Sequence, residues 1–355
     1  MTARTAKPTD QRVARRDPDR AAPSPVPALR RPRALPTWIT ALLLASPAAG
    51  QLSYVGVADG EFGPAVRPAL QMPTDVAVLP DGVVCVVDGV NDRIVRFRSD
   101  GALLDIIDRI GDAALQRPVG VSADVASRLW IADSGHGRVL VRAADGSLER
   151  IVVLPPAPDG RAPEPTDAAP SEDGLGVWVA DNDHHRILRL DLASGAWQSF
   201  GQRGETLGQW QYPFQLAVAS NGDVAITDVV NGRGQLLERN GVPAALIGRF
   251  GLNPGQLYRP TGVAFDSESN AWVADSVTGA IQVFRRTGEV IDILRDADGG
   301  VMRFAGPLGL AFDAGGRLYV TERDANHVLR LVIARRRTPA APPTPLPPRR
   351  LTGQQ

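Results

Sequence analysis

The sequence predicts an all-β ring, a six-bladed β-propeller of four-stranded blades closed by an N-terminal strand that completes the last blade. Three observations carry this prediction. A proline recurs at Pro73, Pro118, Pro165, Pro213, Pro260 and Pro307, at spacings of 45, 47, 48, 47 and 47 residues. An acid follows each one, at Asp88, Asp133, Asp181, Asp228, Asp275 and Glu322, spaced 45, 48, 47, 47 and 47. Within a period lie four short apolar runs separated by turn residues. A unit of this length cannot bury its apolar face alone and must stack on its neighbours. Four short strands per unit make the blade of a propeller.

Residues 1–29 are rich in Arg, Pro, Ala and Asp without periodicity, the composition of a disordered extension. Arg30, Arg31 and Arg33 precede an apolar run at 38–45, and Ser46-Pro47-Ala48-Ala49-Gly50 follows. A basic stretch, an apolar stretch and small residues are the parts of an export signal. Residues 30–50 are therefore expected to direct export and to be cut near Gly50, giving a secreted or periplasmic protein. The run is short for a membrane span. An uncleaved anchor is the alternative, and Arg30-Arg31 is only a fragment of a twin-arginine signal.

Residues 52–56 and then Phe62-Gly63 resemble Ala245-Leu246-Ile247-Gly248 and then Phe250-Gly251. Both segments run into the next proline, so 52–56 is expected to be an outer strand. Blade five gives the full unit, with strands expected at 260–265, 271–275, 280–284 and 290–294. Blade six repeats only three, at 307–312, 318–321 and 328–333, before the chain turns to Ala334-Arg335-Arg336-Arg337. Its missing outer strand is the one at 52–56, and that pairing closes the ring and removes exposed sheet edges. The propeller is expected to span 51–333 and to be monomeric. Residues 334–355 are Pro-rich and basic and are expected to form a disordered, extended tail.

The net charge of zero hides a partition. Of the 39 basic residues, nine lie in 1–50 and five in 334–355, leaving 25 in the repeat body against 36 acids. A body near −11 repels phosphate backbones, so nucleic acid is not the expected partner. The basic tail, or an uncleaved signal, offers a route to membrane association. Cys85, the only cysteine, lies in Val83-Val84-Cys85-Val86-Val87 and reads as a small buried hydrophobe. Trp130, Trp178 and Trp272 share one repeat position and read as core.

Blade five, Pro260-Thr261-Gly262-Val263-Ala264-Phe265 with Trp272-Val273-Ala274-Asp275, resembles the NHL repeat. The Asn-His-Leu signature survives as Asn91-Asp92-Arg93-Ile94, Asp183-His184-His185-Arg186-Ile187 and Asn326-His327-Val328-Leu329. The resemblance covers roughly 51–333 and implies a six-bladed propeller. NHL proteins include bacterial extracellular sensor domains, RNA- and protein-binding regions of TRIM-type proteins, and peptidyl-amidating lyases. Fold alone does not choose among them. No RING or coiled-coil segment precedes the repeats in this sequence. The lyases hold zinc with three histidines in the central cavity, a set that does not map onto these positions.

In a propeller the innermost strand starts on the face where the second strand turns into the third. The prolines and acids therefore share a face around the channel. The six acids are expected to serve the turns structurally, since a carboxylate at a strand end accepts backbone N–H groups; a ring binding cations is the sharper alternative. Arg93, Arg138, Arg186 and Arg233, five residues after an acid, are expected to pair with an acid of their own or a neighbouring blade. His136, His184, His185 and His327 fall in the same turn, so His136, His184 and His185, from adjacent blades, are candidate ligand contacts. Asp75, Asp167 and Gln215 stand at the channel mouth where Gly120, Gly262 and Gly309 stand in other blades, and are candidates on that ground. No nucleophile elbow, P-loop, dinucleotide fingerprint or HExxH is present, and no catalytic residue is assigned.

The expected function is a secreted or periplasmic binding scaffold, not an enzyme, that takes a protein, peptide or small polar ligand on an acidic top face. One alternative is a metal-dependent hydrolase or lyase in the channel, lactonase-like or amidating-lyase-like, with calcium or zinc as the ion and Asp75 and Asp167 at its centre. The other is a sensor or assembly module of an envelope complex.

Overall fold

In the computed structural model, which describes residues 52–157 and 159–337, six four-stranded antiparallel sheets surround a central channel. The export signal, the N-terminal extension and most of the basic tail lie outside the described residues. Blade five runs Pro260–Phe265, Ala271–Asp275, Ala280–Phe284 and Val290–Ile293, in that order across the sheet. The other inner strands are Val76–Val78, Pro118–Ala123, Pro165–Pro170, Pro213–Val218 and Pro307–Phe312. No described helix is long and apolar enough to cross a membrane.

Each apolar layer lies between two blades. One cluster joins Ala77, Cys85 and Ile94 of blade one to Val121, Ile131 and Leu140 of blade two. Another joins Trp272 and Ile281 of blade five to Val320 and Leu331 of blade six. The position three residues before the repeat acid, in the second strand, holds Cys85, Trp130, Trp178, Trp272 and Tyr319, all at most 1% exposed. Trp130 and Trp272 donate their indole N–H to Asp124 and Asp266, at 3.1 and 2.9 Å. Burial pushes the Cys85 thiol up to about 12, so it is a packing group rather than a nucleophile.

Blade six is completed from the other end of the chain. Its order is Leu52–Phe62, His327–Arg337, Leu318–Glu322 and Pro307–Phe312. Both joining strands are longer than the sequence suggests. The closing strand has 11 residues, with a bulge at Asp59, and its partner continues four residues past 333. Arginines can extend this strand because their stems lie on apolar surface while the heads find partners. The Arg335 guanidinium stacks 4.9 Å from the Tyr54 ring centre and bonds Tyr54 Oη at 2.7 Å and Glu268 at 2.6 Å.

Register fixes the site. Pro118 faces Asp133, Pro165 faces Asp181, Pro213 faces Asp228, Pro260 faces Asp275 and Pro307 faces Glu322. Prolines, acids and the linkers between blades therefore share one face, called here the linker face.

Candidate functional site

The repeat acids are staples rather than an open ring. Asp88, Asp133, Asp181, Asp228 and Asp275 are 0% exposed and Glu322 is 7%. Each accepts a backbone N–H from the linker that leads into the inner strand: Gln71 to Asp88 at 2.9 Å, Gln116 to Asp133 at 2.7 Å, Glu164 to Asp181 at 2.9 Å, Gln211 to Asp228 at 2.7 Å and Ala305 to Glu322 at 2.6 Å, with Tyr258 bonded likewise to Asp275. The arginine five residues on pairs with the acid of its own blade, at 2.7 Å for Arg93, Arg138 and Arg186 and 3.0 Å for Arg233. Its far nitrogen reaches a linker carbonyl, as Arg186 does to Pro155 at 2.8 Å. The expected turn bonding appears in blade five, where no arginine follows and Asp275 accepts from Val277 and Thr278 at 3.1 and 3.0 Å. The linker face is thus not acidic on account of these groups: all six are buried, and all but Asp275 are paired with an arginine or a histidine.

The histidines are tethered one by one. His136 Nδ1 bonds Asp133 at 2.9 Å, His184 Nδ1 bonds Asp181 at 3.0 Å, and His327 Nε2 bonds Glu322 at 2.6 Å. Among the described residues no group of three or more His, Cys, Asp or Glu is arranged to hold a metal ion. His185 differs. Its Nδ1 accepts the backbone N–H of Tyr212 at 3.1 Å, and its ring meets the Tyr212 ring edge-on at 4.6 Å. Burial, helped by Arg203, lowers its pKa, which keeps the imidazole neutral and able to accept that bond.

Asp75, Asp167 and Gln215 do come together, but inside the channel rather than at its mouth. They are 4, 4 and 2% exposed. Asp75 accepts Val76 N–H and, from the next blade, Val121 N–H, both at 2.8 Å. Asp167 repeats this with Ala168 at 2.8 Å and Leu216 at 2.9 Å. Gln215, on the blade opposite blade one, donates across the axis to Thr74 O at 3.4 Å and bonds Asp75. The glycines make room for this layer. A Cβ on Gly309 would stand 2.5 Å from Asp75 Oδ1, and one on Gly120 2.6 Å from Asp167 Oδ1. Beyond the three polar groups a cavity of about 240 Å³ runs past Ser122 to Pro170, Phe265 and Phe312, at the far ends of the inner strands.

Burial pushes Asp167 up to about 7. Burial and then the charge of Asp167 raise Asp75 well above the usual carboxylate range, against the bonds from Val121, Val76 and Gln215. Folded-state values above the unfolded ones mean that the native protein holds more protons than the unfolded chain between about pH 4 and the folded value. The stability this pair contributes is full below about pH 4 and is lost as pH rises through about 7. We expect the melting temperature to fall between about pH 5 and about pH 8, and Asp167→Asn to flatten that fall. Equal slopes for the two proteins in a pH series of thermal melts would remove Asp167 as its source.

The linker face carries a feature that residue-type motifs do not reveal. Met72, Val90, Leu207, Tyr212, Val230, Phe250, Tyr258 and Val277 are 39 to 59% exposed there. Met72, Arg117 and Tyr212 each precede a proline with φ of 52, 45 and 59°, a left-handed backbone that costs free energy in a non-glycine residue. Each is held by a bond from its N–H to the preceding blade's turn: to Asn326 at 2.8 Å, Asp92 at 2.6 Å and His185 at 3.1 Å. The signal open to sequence reading was the second residue after the acid, which is Val90, Val230 and Val277 in three blades and Gly or Asp in the others.

The sequence matches no family model and no curated protein. Solved structures match in fold. A streptogramin B lyase shares 13% identity at a TM-score of 0.58, covering 81% of this chain and 100% of that one. A catalytically inactive virginiamycin B lyase from Staphylococcus aureus, solved with quinupristin, shares 16% at 0.53, covering 80% and 88%. A gluconolactonase from Xanthomonas campestris shares 17% at 0.55, covering 82% and 98%. At such identities the likeness is one of fold.

Proposed function

We propose that this chain is an NHL-type binding propeller, exported from the cytoplasm, that presents its linker face to a protein or peptide partner. The observation that carries the reading is the distribution of exposed apolar side chains. Eight large ones lie on the linkers and turns of that face, whereas the opposite face offers Val125, Leu175 and Val242; the rest lie along the outer edges of the blades, as Leu103, Val153 and Leu246 do. Exposed apolar groups scattered singly need no explanation, but a concentration on one face marks an interaction site. The stapled linkers support the reading as well, since a surface held rigid before binding loses little entropy on binding.

A second reading, a metal-dependent hydrolase or lyase in the channel, draws on the buried Asp75–Asp167 pair and on the enzymes that share the fold. It is the weaker one. Every carboxylate oxygen of the pair already accepts a backbone N–H, which gives the pair a structural task between blades.

The test is site-specific photo-cross-linking of the full-length protein in the organism that makes it. Probes at Val230 and Val277 are expected to give discrete adducts, and probes at Val125 and Leu175 none. Adducts no more frequent at the first pair than at the second would overturn the reading.

A further inference from the structure

We infer that the sector of the linker face built by blades four and five docks an acidic protein segment through an apolar anchor. The inference rests on the binding-propeller reading and narrows it to one partner chemistry.

Phe250 and Tyr258 pack against each other with ring centres 5.2 Å apart, yet remain 59 and 42% exposed. Tyr212 is fixed in its left-handed backbone by His185 and stays 39% exposed. Beside it a pocket of about 360 Å³ is walled by Phe214, Val229, Val230 and Arg259, with Glu164 on its blade-three side. Rigid aromatics next to a preformed recess of mixed lining are the parts of an interface anchor.

The same two linkers carry three arginines. Arg203, Arg249 and Arg259 are exposed and have no ion-pair partner among the described residues, as is also true of Arg67, Arg117 and Arg303 on other linkers, whereas the buried or half-buried Arg93, Arg138, Arg186 and Arg233 are all paired. In the linkers 201–212 and 248–259 the sole acid is Glu205, engaged by Gln211 Nε2 at 3.4 Å. The two linkers are therefore positive and aromatic, with Glu164 and Asp183 as the acids at the Tyr212 end, on a body that carries 36 acids against 25 basic residues. Arginine, tyrosine and phenylalanine together are the composition of interface hot spots, and unpaired guanidinium groups select carboxylates in matching positions. Single-stranded nucleic acid would also suit arginine and aromatic groups. The surrounding negative field opposes a polyphosphate far more than a short acidic segment with apolar anchors.

The experiment pans a random twelve-residue displayed-peptide library against the full-length protein, and measures the enriched peptides by fluorescence anisotropy. Enriched sequences are expected to combine an aromatic or large aliphatic residue with an excess of Asp and Glu. Their affinity is expected to fall at least about tenfold in Arg203→Glu/Arg259→Glu, and to weaken with salt. An unchanged melting temperature of that variant establishes that it folds. Peptides that are neutral or basic, or that bind the charge-reversed protein equally, overturn the inference. Tighter binding of a single-stranded oligonucleotide than of any peptide overturns it too. If Val230→Asp abolishes binding while the charge reversal does not, the linker-face reading stands and the acidic partner falls. Peptides indifferent to both variants count against both.

Discussion

A chain that begins at Gly63 is expected to lose most of its stability and to associate. The missing strand carries Tyr54, Val55 and Phe62, which are 6, 4 and 1% exposed in the closed ring. Phe62 packs between Phe97 of blade one and Tyr319 of blade six, with centroids 5.8 Å away in each case, and Tyr54 meets Trp272 of blade five at 4.9 Å. The Tyr54 N–H also bonds the buried Asp292 carboxylate of blade five at 2.9 Å. One strand thus seals layers on both sides of blade six. Emptying a buried aromatic position costs about 3–5 kcal/mol, and total stabilities are about 5–15 kcal/mol. Losing two aromatic positions and a whole ladder of backbone bonds removes a sum of the same order as the total. The deletion also bares the edge of His327–Arg337, which invites pairing with a second chain. Thermal melts by circular dichroism and size-exclusion chromatography test this. A deletion that melts with the full-length protein and elutes as a monomer would sink the closure argument.

The second large effect is expected at a repeat acid. Asp181→Ala should cost about 3–5 kcal/mol, because it leaves the Arg186 guanidinium buried without its counter-charge. That carboxylate holds Arg186 Nε at 2.7 Å, His184 Nδ1 at 3.0 Å and the Glu164 N–H at 2.9 Å. Arg186 itself is 7% exposed. Its other contact, to Pro155 O at 2.8 Å, ties down the linker entering blade three. Asp183→Ala, two residues away on an exposed position, should lie within about 0.5 kcal/mol of wild type. Urea unfolding of the two variants separates the buried staple from an exposed acid. Equal losses would mean that the repeat acid is dispensable for the fold.

Both effects follow from one arrangement. A blade has no interior of its own, so each part of the repeat exists to hold one blade against the next. The polar layer in the channel does the same across the axis, where Gln215 of blade four meets Thr74 and Asp75 of blade one. Polar residues at positions that are glycine elsewhere can be read from sequence as departures from the repeat. Their burial could not, because it depends on the side chains of opposite blades meeting over glycines.

By itself the sequence determined the ring: six periods, four strands in each and a last blade completed from the N-terminus. It could do so because periodic burial is a local pattern, a unit that cannot bury its own face must stack on its neighbours, and four short strands per unit make that stack a propeller. It also marked Asp75, Asp167 and Gln215 as departures. The tertiary structure decided how those departures are used, with two carboxyls and an amide stapling blades inside the channel. It decided that the repeat acids face inward to linker amides and, in four blades, to arginines, and that Phe250 and Tyr258 of one linker pack together on the surface beside Arg249 and Arg259. These outcomes turn on which groups from distant blades come within bonding distance, and no spacing along one repeat records that.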